Sequence, residues 1–428
     1  MTDKQAMDKP ERRETRRAVT AAVVGNVLEW YDFAIYAYMA TVIARKFFPS
    51  GNEVSALLST FAAFGVGFVL RPLGGILIGR LGDLKGRKTA LLLTIALMAA
   101  GTVLIGLIPS YETVGPAAPI LIVIARMLQG FSAGGEWGGS TAFIVEWAPE
   151  NQRGFYGSLQ QCSVAGGLLL GSAVAALVSS VLPAQTVDDW AWRIPFLLGG
   201  LLGPVGLYMR RNIGETPAFA RAQETTSAAT SDTPAPAWLA ARAFGFTILW
   251  SVSYYIVLAY MPTFLQRHVM LGRSEALWAT TAGLLVLVTT IPLSGLLSDR
   301  FGRKPLLLAA CVAFMVLPYP LFDLMLVGAS LGTIIAIQVA LALGIALYSG
   351  PGPAAIAEIF PTKGRSTWMS TGYSLSVAVF GGFAPFVATW LIEKTGSLLS
   401  PAYYLMAAAA ASTVVVLRLE ESADKPLR

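Results

Sequence analysis

Five charged side chains interrupt long apolar segments of this sequence. Glu29 and Asp32 lie in the first segment, Arg71 in the second, and Arg126 and Glu136 in the fourth. A charged residue at the centre of a membrane helix costs about 2.5–3.5 kcal/mol on insertion scales, so such residues mark function and face the protein interior. Carboxylates there can carry protons, and guanidinium groups can bind a carboxylate. These five residues are the first candidates for a functional site.

The first segment holds an acidic pair. Glu29 and Asp32 are three residues apart and share one helical face, with Tyr36 four residues further on. Two carboxylates this close repel each other where the dielectric constant is low, so one of them is expected to take up and release a proton. The alternative is structural, with Glu29 capping or pairing with a neighbouring helix.

The fourth segment holds a polar stripe. At about 100° per residue, Arg126, Gln129 and Glu136 fall within an arc of about 80°, which predicts that they face a central cavity. The guanidinium of Arg126 suits bidentate carboxylate binding, although a structural ion pair with Asp32 or Glu136 is the alternative. Arg71 is a second binding candidate, but the adjoining Pro-Leu-Gly-Gly sequence also fits a packing constraint.

Aromatic side chains are further candidates for the cavity wall. Tyr36, Tyr254, Tyr255 and Tyr348 lie within apolar segments and could contact a substrate, although each could equally be a packing residue. The chain has one histidine and two cysteines, Cys162 and Cys311, and we expect no metal site and no cofactor. It also lacks HExxH, GxSxG and Walker patterns, so we do not expect an enzyme.

The composition defines the elements that must position these residues. Of 428 residues, 55% are hydrophobic and only 13% are charged, whereas soluble domains have about 25% charged residues. The apolar runs, such as 91–108 and 405–417, are long and unbroken, which excludes the alternating pattern of a β-barrel. An all-α membrane protein is therefore predicted, and at roughly 20 residues a span twelve spans leave no room for a large soluble domain.

Charged and Pro/Gly-rich breaks divide the chain into twelve candidate spans: 19–43, 55–79, 89–108, 119–143, 157–181, 193–210, 243–265, 276–298, 305–326, 331–352, 368–392 and 401–418. The loops and tails on the side of the termini hold 23 Lys and Arg residues, and the opposite side holds six. By the positive-inside rule both termini are cytoplasmic. We expect an N-tail at 1–18, a six-helix half at 19–211, a linker at 212–242, a second half at 243–418 and a C-tail at 419–428.

Two motifs repeat between the halves. Residues 79–88, GRLGDLKGRK, recur as GLLSDRFGRK at 295–304, and the pattern E-x-x-P-x-x-x-R beginning at Glu146 recurs at Glu358. The two offsets, 216 and 212 residues, are nearly equal. Parallel repeats of this kind are typical of one transporter architecture, in which the halves are related by an axis along the membrane normal.

On these motifs the chain resembles the major facilitator superfamily, whose loop between spans two and three has the pattern G-x-x-x-D-x-x-G-R-K. Within it, the chain is similar to the metabolite:proton symporter family, over residues 16 to about 420. Five segments carry this second resemblance: 25–33, 71–75, 129–136, 190–196 and 215–219. The resemblance implies twelve transmembrane helices in two six-helix, pseudo-symmetric halves. It also implies alternating access to a site near the bilayer midplane.

The resemblance also assigns a role to the repeated loop motifs. In the superfamily, the motif's aspartate meets basic groups and a helix N-terminus of the other half, an interaction that the helix dipole favours. This implies cytoplasmic latches that stabilise the outward-open state. The residues expected to form them are Asp83, Arg87, Asp299, Arg303, Glu146, Arg153, Glu358 and Arg365.

Together these observations predict a proton-coupled symporter that takes up a small carboxylate-bearing metabolite. A proton on the Glu29/Asp32 pair would loosen its hold on Arg126 and free that guanidinium for the substrate. The two intramembrane arginines favour an organic di- or tricarboxylate; a zwitterion such as proline or betaine is the alternative, and an exporter is a third possibility. We expect a monomer in a bacterial inner membrane, with no nucleic-acid partner.

Overall fold

The computed structural model describes residues 25–85, 87–134, 136–211, 237–360, 365–423 and 425, and all regular structure in these ranges is helical. Twelve rods follow one another along the described chain: α1 (25–38 and Ala40–Phe47), α2 (Glu53–Val69 and Arg71–Lys85), α3 (Arg87–Leu107), α4 (Ala117–Ser132 and Glu136–Trp147), α5 (Arg153–Val181), α6 (Arg193–Arg211), α7 (Ala237–Ser253, Tyr254–Tyr260 and Met261–His268), α8 (Arg273–Phe301), α9 (Arg303–Val316 and Pro318–Leu326), α10 (Leu331–Ser349 and Gly352–Glu358), α11 (Arg365–Ser376, Val377–Gly382 and Ala384–Thr395) and α12 (Ser400–Leu417). Four short helical turns connect them, at Tyr111–Val114, Glu150–Gln152, Ala184–Thr186 and Val187–Ala191.

The rods match the twelve predicted spans and are mostly longer. Among the described residues, seven helices are by themselves long and apolar enough to cross a membrane, and the bent α9 makes an eighth. The rods α5 and α8 have 29 residues each, about 43 Å at 1.5 Å per residue, which exceeds a hydrocarbon core of about 30 Å. Hydropathy detects the apolar centre of such a helix and misses its polar ends.

Several rods are interrupted near their middle. One stretch of each of two helices is π-helical: Tyr254–Tyr260 in α7 and Val377–Gly382 in α11. Such π-helical turns occur frequently at functional sites. The rods α4 and α10 each have a turn, at residues 133–134 and 350–351.

The two halves contact each other along α5 and α8, the helix pair with the most extensive contact. Near one end the backbones approach closely, because a Cβ on Gly295 would lie 2.6 Å from the carbonyl oxygen of Gly154. Residues 212–236 of the predicted linker, 212–242, lie outside the described part of the chain. The linker's last six residues are helical and open α7, where Leu239 is buried. The predicted domain boundaries otherwise stay predictions.

Candidate functional site

The predicted acidic pair of α1 occupies two different environments. A carboxylate oxygen of Glu29 lies 4.0 Å from Nη2 of Arg71 on α2, which is the pairing with a neighbouring helix given above as the alternative. Asp32 is buried, and its Oδ1 has no hydrogen-bond partner among the described residues. The two carboxylates are therefore chemically distinct, and Asp32 is the one with an unsatisfied oxygen.

Arg126 of α4 is completely buried. Its Nη1 donates to Oε1 of Gln129 at 2.8 Å and its Nη2 donates to the carbonyl oxygen of Phe64 at 3.4 Å, while Nε has no partner in the described part of the chain. Three rings surround the guanidinium, with the centroids of Phe33, Tyr36 and Phe64 at 4.6–4.9 Å from Cζ. Cation–π attraction stabilises the charge there.

Arg71 shares one of these rings. Its Cζ lies 4.7 Å from the centroid of Phe33 and 4.5 Å from that of Phe68, and Cζ of Arg126 lies 4.9 Å from the same Phe33 centroid. Within the residues that the structure describes, the Nε and Nη2 atoms of Arg71 have no hydrogen-bond partner. The structure thus brings together the two arginines predicted from sequence. Their buried N–H groups could donate hydrogen bonds to an incoming carboxylate.

Asp32 and Arg126 are connected through other side chains. Nε2 of Gln129 donates to Oγ1 of Thr102 at 2.8 Å, and Thr102 lies beside the Asp32 carboxyl. The acidic pair is predicted to hold Arg126; in the structure, Gln129 and Thr102 connect Asp32 to Arg126, and Glu29 pairs with Arg71. Thr102 was missed because a threonine in an apolar run carries no motif.

The tyrosines differ in what they contact. The ring of Tyr255 in α7 packs edge-on against Phe68 of the other half at 5.3 Å, and the hydroxyls of Tyr254 and Tyr255 are buried without a partner. By contrast, Tyr36 donates to the carbonyl of Thr60, and Tyr348 donates to the carbonyl of Phe246 at 2.7 Å. Tyr348 thereby ties α10 to α7, and a role in binding stays a prediction.

An aromatic cluster lies between the two halves. Trp137 of α4 lies parallel to Tyr373 of α11 with ring centroids 3.5 Å apart, and Trp250 of α7 meets both rings edge-on. Trp137 and Trp250 were not among the sequence candidates, since isolated tryptophans in apolar segments give no positional signal.

The predicted C-terminal latch bridges the halves. Both carboxylate oxygens of Asp299, at the end of α8, accept from backbone N–H groups at the start of α5, those of Gly154 and Phe155, at 2.8 Å each. Arg303 lies 2.6 Å from Asp299 and 3.5 Å from Glu358. The free N–H groups and the dipole of a helix N-terminus attract such an anion.

The C-tail joins this network. Nη1 of Arg153 donates to the carbonyl of Lys425 at 2.8 Å, and the hydroxyl of Ser422 donates to Glu358. Glu421 accepts from the backbone N–H groups of Arg303 and Lys304 and so caps α9. Burial alone would raise the pKa of Glu421, but these and two further backbone donors lower it below its usual value.

One further predicted latch residue, Glu146, is exposed near the end of α4. The side chains of Glu136, Asp83, Arg87 and Arg365 lie outside the part of the chain that the structure describes, so their predicted roles stay predictions.

Comparison with known proteins bears on the whole chain. Residues 18–233 match the family described as Sugar (and other) transporter, and residues 243–428 match Major Facilitator Superfamily. The proline/betaine transporter of Escherichia coli (strain K12) is 36% identical over 426 residues, covering 96% of this chain and 85% of that protein. The citrate-proton symporter of Klebsiella pneumoniae is 38% identical over 393 residues, covering 91% and 88%.

Solved structures agree on the fold. The xylose transporter XylE from E. coli, in a partially occluded inward-open conformation, superposes with a TM-score of 0.78 at 18% sequence identity, covering 95% of this chain and 98% of XylE. Given these relatives and the two matched halves, the chain is a membrane transporter that belongs to the major facilitator superfamily and, within it, to the metabolite:proton symporters.

Proposed function

We propose that this protein couples proton entry to the uptake of a small zwitterionic carboxylate, such as proline or betaine. The observation that carries the proposal is the pair of buried guanidinium groups, Arg71 and Arg126, with unpartnered N–H groups beside one shared ring. Charge-assisted, bidentate hydrogen bonds to a carboxylate are the interaction that such groups form best.

The surroundings of the arginines favour a zwitterion over a simple anion. Glu29 lies at the same site, against Arg71, and would attract the cationic end of a substrate while repelling a second carboxylate. The rings of Phe68 and Tyr255 offer cation–π contacts to an ammonium group. The proline/betaine transporter of Escherichia coli, 36% identical, supports the same choice.

An organic di- or tricarboxylate is the second candidate. Two arginines could each hold one carboxylate, and the citrate-proton symporter of Klebsiella pneumoniae is 38% identical to this chain. This substrate would require Glu29 to be protonated or held away by Arg71.

Asp32 is the proposed proton carrier. Its protonation would change the charge beside Thr102, and the hydrogen bonds from Thr102 through Gln129 to Arg126 would pass that change to the substrate site. The latch residues would then alternate between joined and separated states as the halves rock around the site. We propose a bacterial inner-membrane location, with both termini cytoplasmic and the monomer as the working unit.

Counterflow and driven uptake in proteoliposomes test this proposal. Radiolabelled proline, betaine and citrate are compared for exchange, and an imposed proton gradient, with and without a protonophore, is compared with a sodium gradient. We expect Asp32→Asn to abolish proton-driven uptake and to preserve exchange. Undiminished driven uptake in this variant, or uptake that needs sodium and ignores the protonophore, would remove the coupling scheme.

A further inference from the structure

A crevice runs inside the N-terminal half, between α1, α3, α4 and α6. Its wall includes Gly25, Glu29, Asp32, Ala99, Ser132 and Gly203. Gly25 and Gly203 lie towards the ends of α1 and α6 that the proposed topology places in the cytoplasm, and Asp32 lies deeper in the membrane.

The Oδ1 oxygen of Asp32 lies against the wall of this crevice. Asp32 lines it together with Gly199 of α6, and a Cβ on Gly199 would lie only 2.6 Å from Oδ1 of Asp32. Oδ1 is buried and accepts no hydrogen bond from the described residues. A buried carboxylate oxygen without a protein partner costs free energy unless water or a proton meets it, and the crevice is the space beside Asp32 through which either could arrive.

The two guanidinium groups lie outside the crevice wall. Glu29 lines the crevice and also pairs with Arg71, whereas Arg126 lies among Phe33, Tyr36 and Phe64. Thr102 and Gln129 link Asp32, on the crevice wall, to Arg126.

The charged and titratable groups around Asp32 come from three helices. They are Glu29 and Tyr31 on α1, Arg71 on α2, with which Glu29 pairs, and Arg126 on α4, reached through Gln129. Towards Asp32, α3 presents the neutral Thr102 and α6 presents Gly199. Protons can therefore reach Asp32 along the crevice without crossing either guanidinium.

We propose that this crevice is the path by which the proton leaves Asp32 for the cytoplasm, separate from the cavity through which the substrate passes. The inference rests on the proposed proton coupling. In each cycle the Asp32 carboxyl would lose its proton to water in the crevice and return as a carboxylate. Glycine at 199 and 203 and alanine at 99 leave the path open.

A matched pair of variants tests the path. Ala99→Leu places a larger side chain in the crevice, whereas Ala96→Leu makes the same change one turn away on the exposed face of α3. Proton-driven net uptake requires proton release and should fall about tenfold or more in Ala99→Leu, a barrier increase of about 1.4 kcal/mol or more. Substrate exchange at acidic pH does not require proton release and should match that of Ala96→Leu.

A labelling experiment covers the case in which Ala99→Leu fails to fold. With Cys162 and Cys311 replaced by serine, Ala99→Cys should react with a small charged methanethiosulfonate applied from the cytoplasmic side, and Ala96→Cys should not. The reagent should then block net uptake of Ala99→Cys and spare exchange. Absence of labelling, or equal net uptake in the two leucine variants, would overturn the path.

The control on the wild-type protein separates the two proposals. If wild-type uptake ignores a protonophore, the proposed proton coupling is wrong and the crevice has no proton to carry. If wild-type uptake is proton-driven and the matched variants behave alike, the coupling stands and the proton leaves Asp32 by another route.

Discussion

At the scale of single residues, Arg126 is held by contacts that do not neutralise its positive charge. Gln129 and the carbonyl of Phe64 accept its hydrogen bonds, and three rings face its charge. Aromatic rings and neutral oxygens stabilise a cation without saturating its donors, so Nε stays free for a ligand. An arginine that served only packing would have a carboxylate against it.

Replacement of Arg126 should therefore act on ligand binding. Arg126→Lys keeps the charge but loses the planar guanidinium with its paired N–H donors, so we expect ligand binding to weaken by about 1–3 kcal/mol. Arg126→Ala should cost more, because it removes the charge as well. The measurement is ligand affinity on folded, monodisperse protein, with the exposed Arg300→Lys as the matched control. Wild-type affinity in both Arg126 variants would move the carboxylate contact to Arg71.

At the scale of elements, glycines set the distance between α2 and α4. A Cβ on Gly130 would overlap the carbonyl oxygen of Gly67, and one on Gly134 would overlap that of Arg71. Small residues of this kind let membrane helices approach backbone to backbone. The close approach places Arg71 and Arg126 on the same ring, so the helix contact determines the geometry of the site.

Gly130→Ala should separate these two helices. Overpacking costs typically about 1–3 kcal/mol, so we expect a lower melting temperature of purified protein and weaker ligand binding. Gly166→Ala is the control, because a Cβ there would have only Val27 nearby, at 3.6 Å. Equal melting temperatures for the two variants would show that α2 and α4 can adjust.

At the scale of the molecule, the halves are joined at both ends. At one end Asp299 bonds to the start of α5. At the other end Asp188, between α5 and α6, lies 2.9 Å from Arg45 of α1 and 2.6 Å from Arg273 of α8. Each contact has to break when its side of the protein opens, so the two aspartates should bias the conformational equilibrium in opposite directions.

Asp299→Asn should favour opening at the end where Asp299 lies. The amide keeps one acceptor oxygen and loses the charge that pairs with Arg303 and the helix dipole. A reporter cysteine at Ala354, which is buried beside Gly157 across the halves, should then be labelled faster. Asp323→Asn, an exposed change on α9, is the control. Unchanged labelling would leave Asp299 without a latching role.

Asp188→Asn should have the opposite effect. Loss of its ion pairs with Arg45 and Arg273 removes a contact between the halves at the other end, so labelling of the same Ala354→Cys reporter should slow. The pairs are partly exposed and each contributes modestly, so we expect a smaller change than for Asp299→Asn, and one that shrinks at high salt. Faster labelling would contradict this assignment.

The sequence alone determined the number and class of the helices, the repeat and the residues at the centre. Apolar length and composition are properties of a continuous segment, so they predict a spanning helix without knowledge of its neighbours. Charge within such a segment likewise identified Glu29, Asp32, Arg71 and Arg126, because its cost depends on the surrounding apolar residues.

The tertiary structure decided which of these residues meet. Glu29 pairs with Arg71, Thr102 and Gln129 connect Asp32 to Arg126, and Tyr348 donates to the backbone of α7. These partners come from different helices, and their contact depends on how each helix is rotated and how closely glycines let it approach the next. Spacing along one helix predicts a face, whereas the partner on that face is set by the packing of the whole bundle.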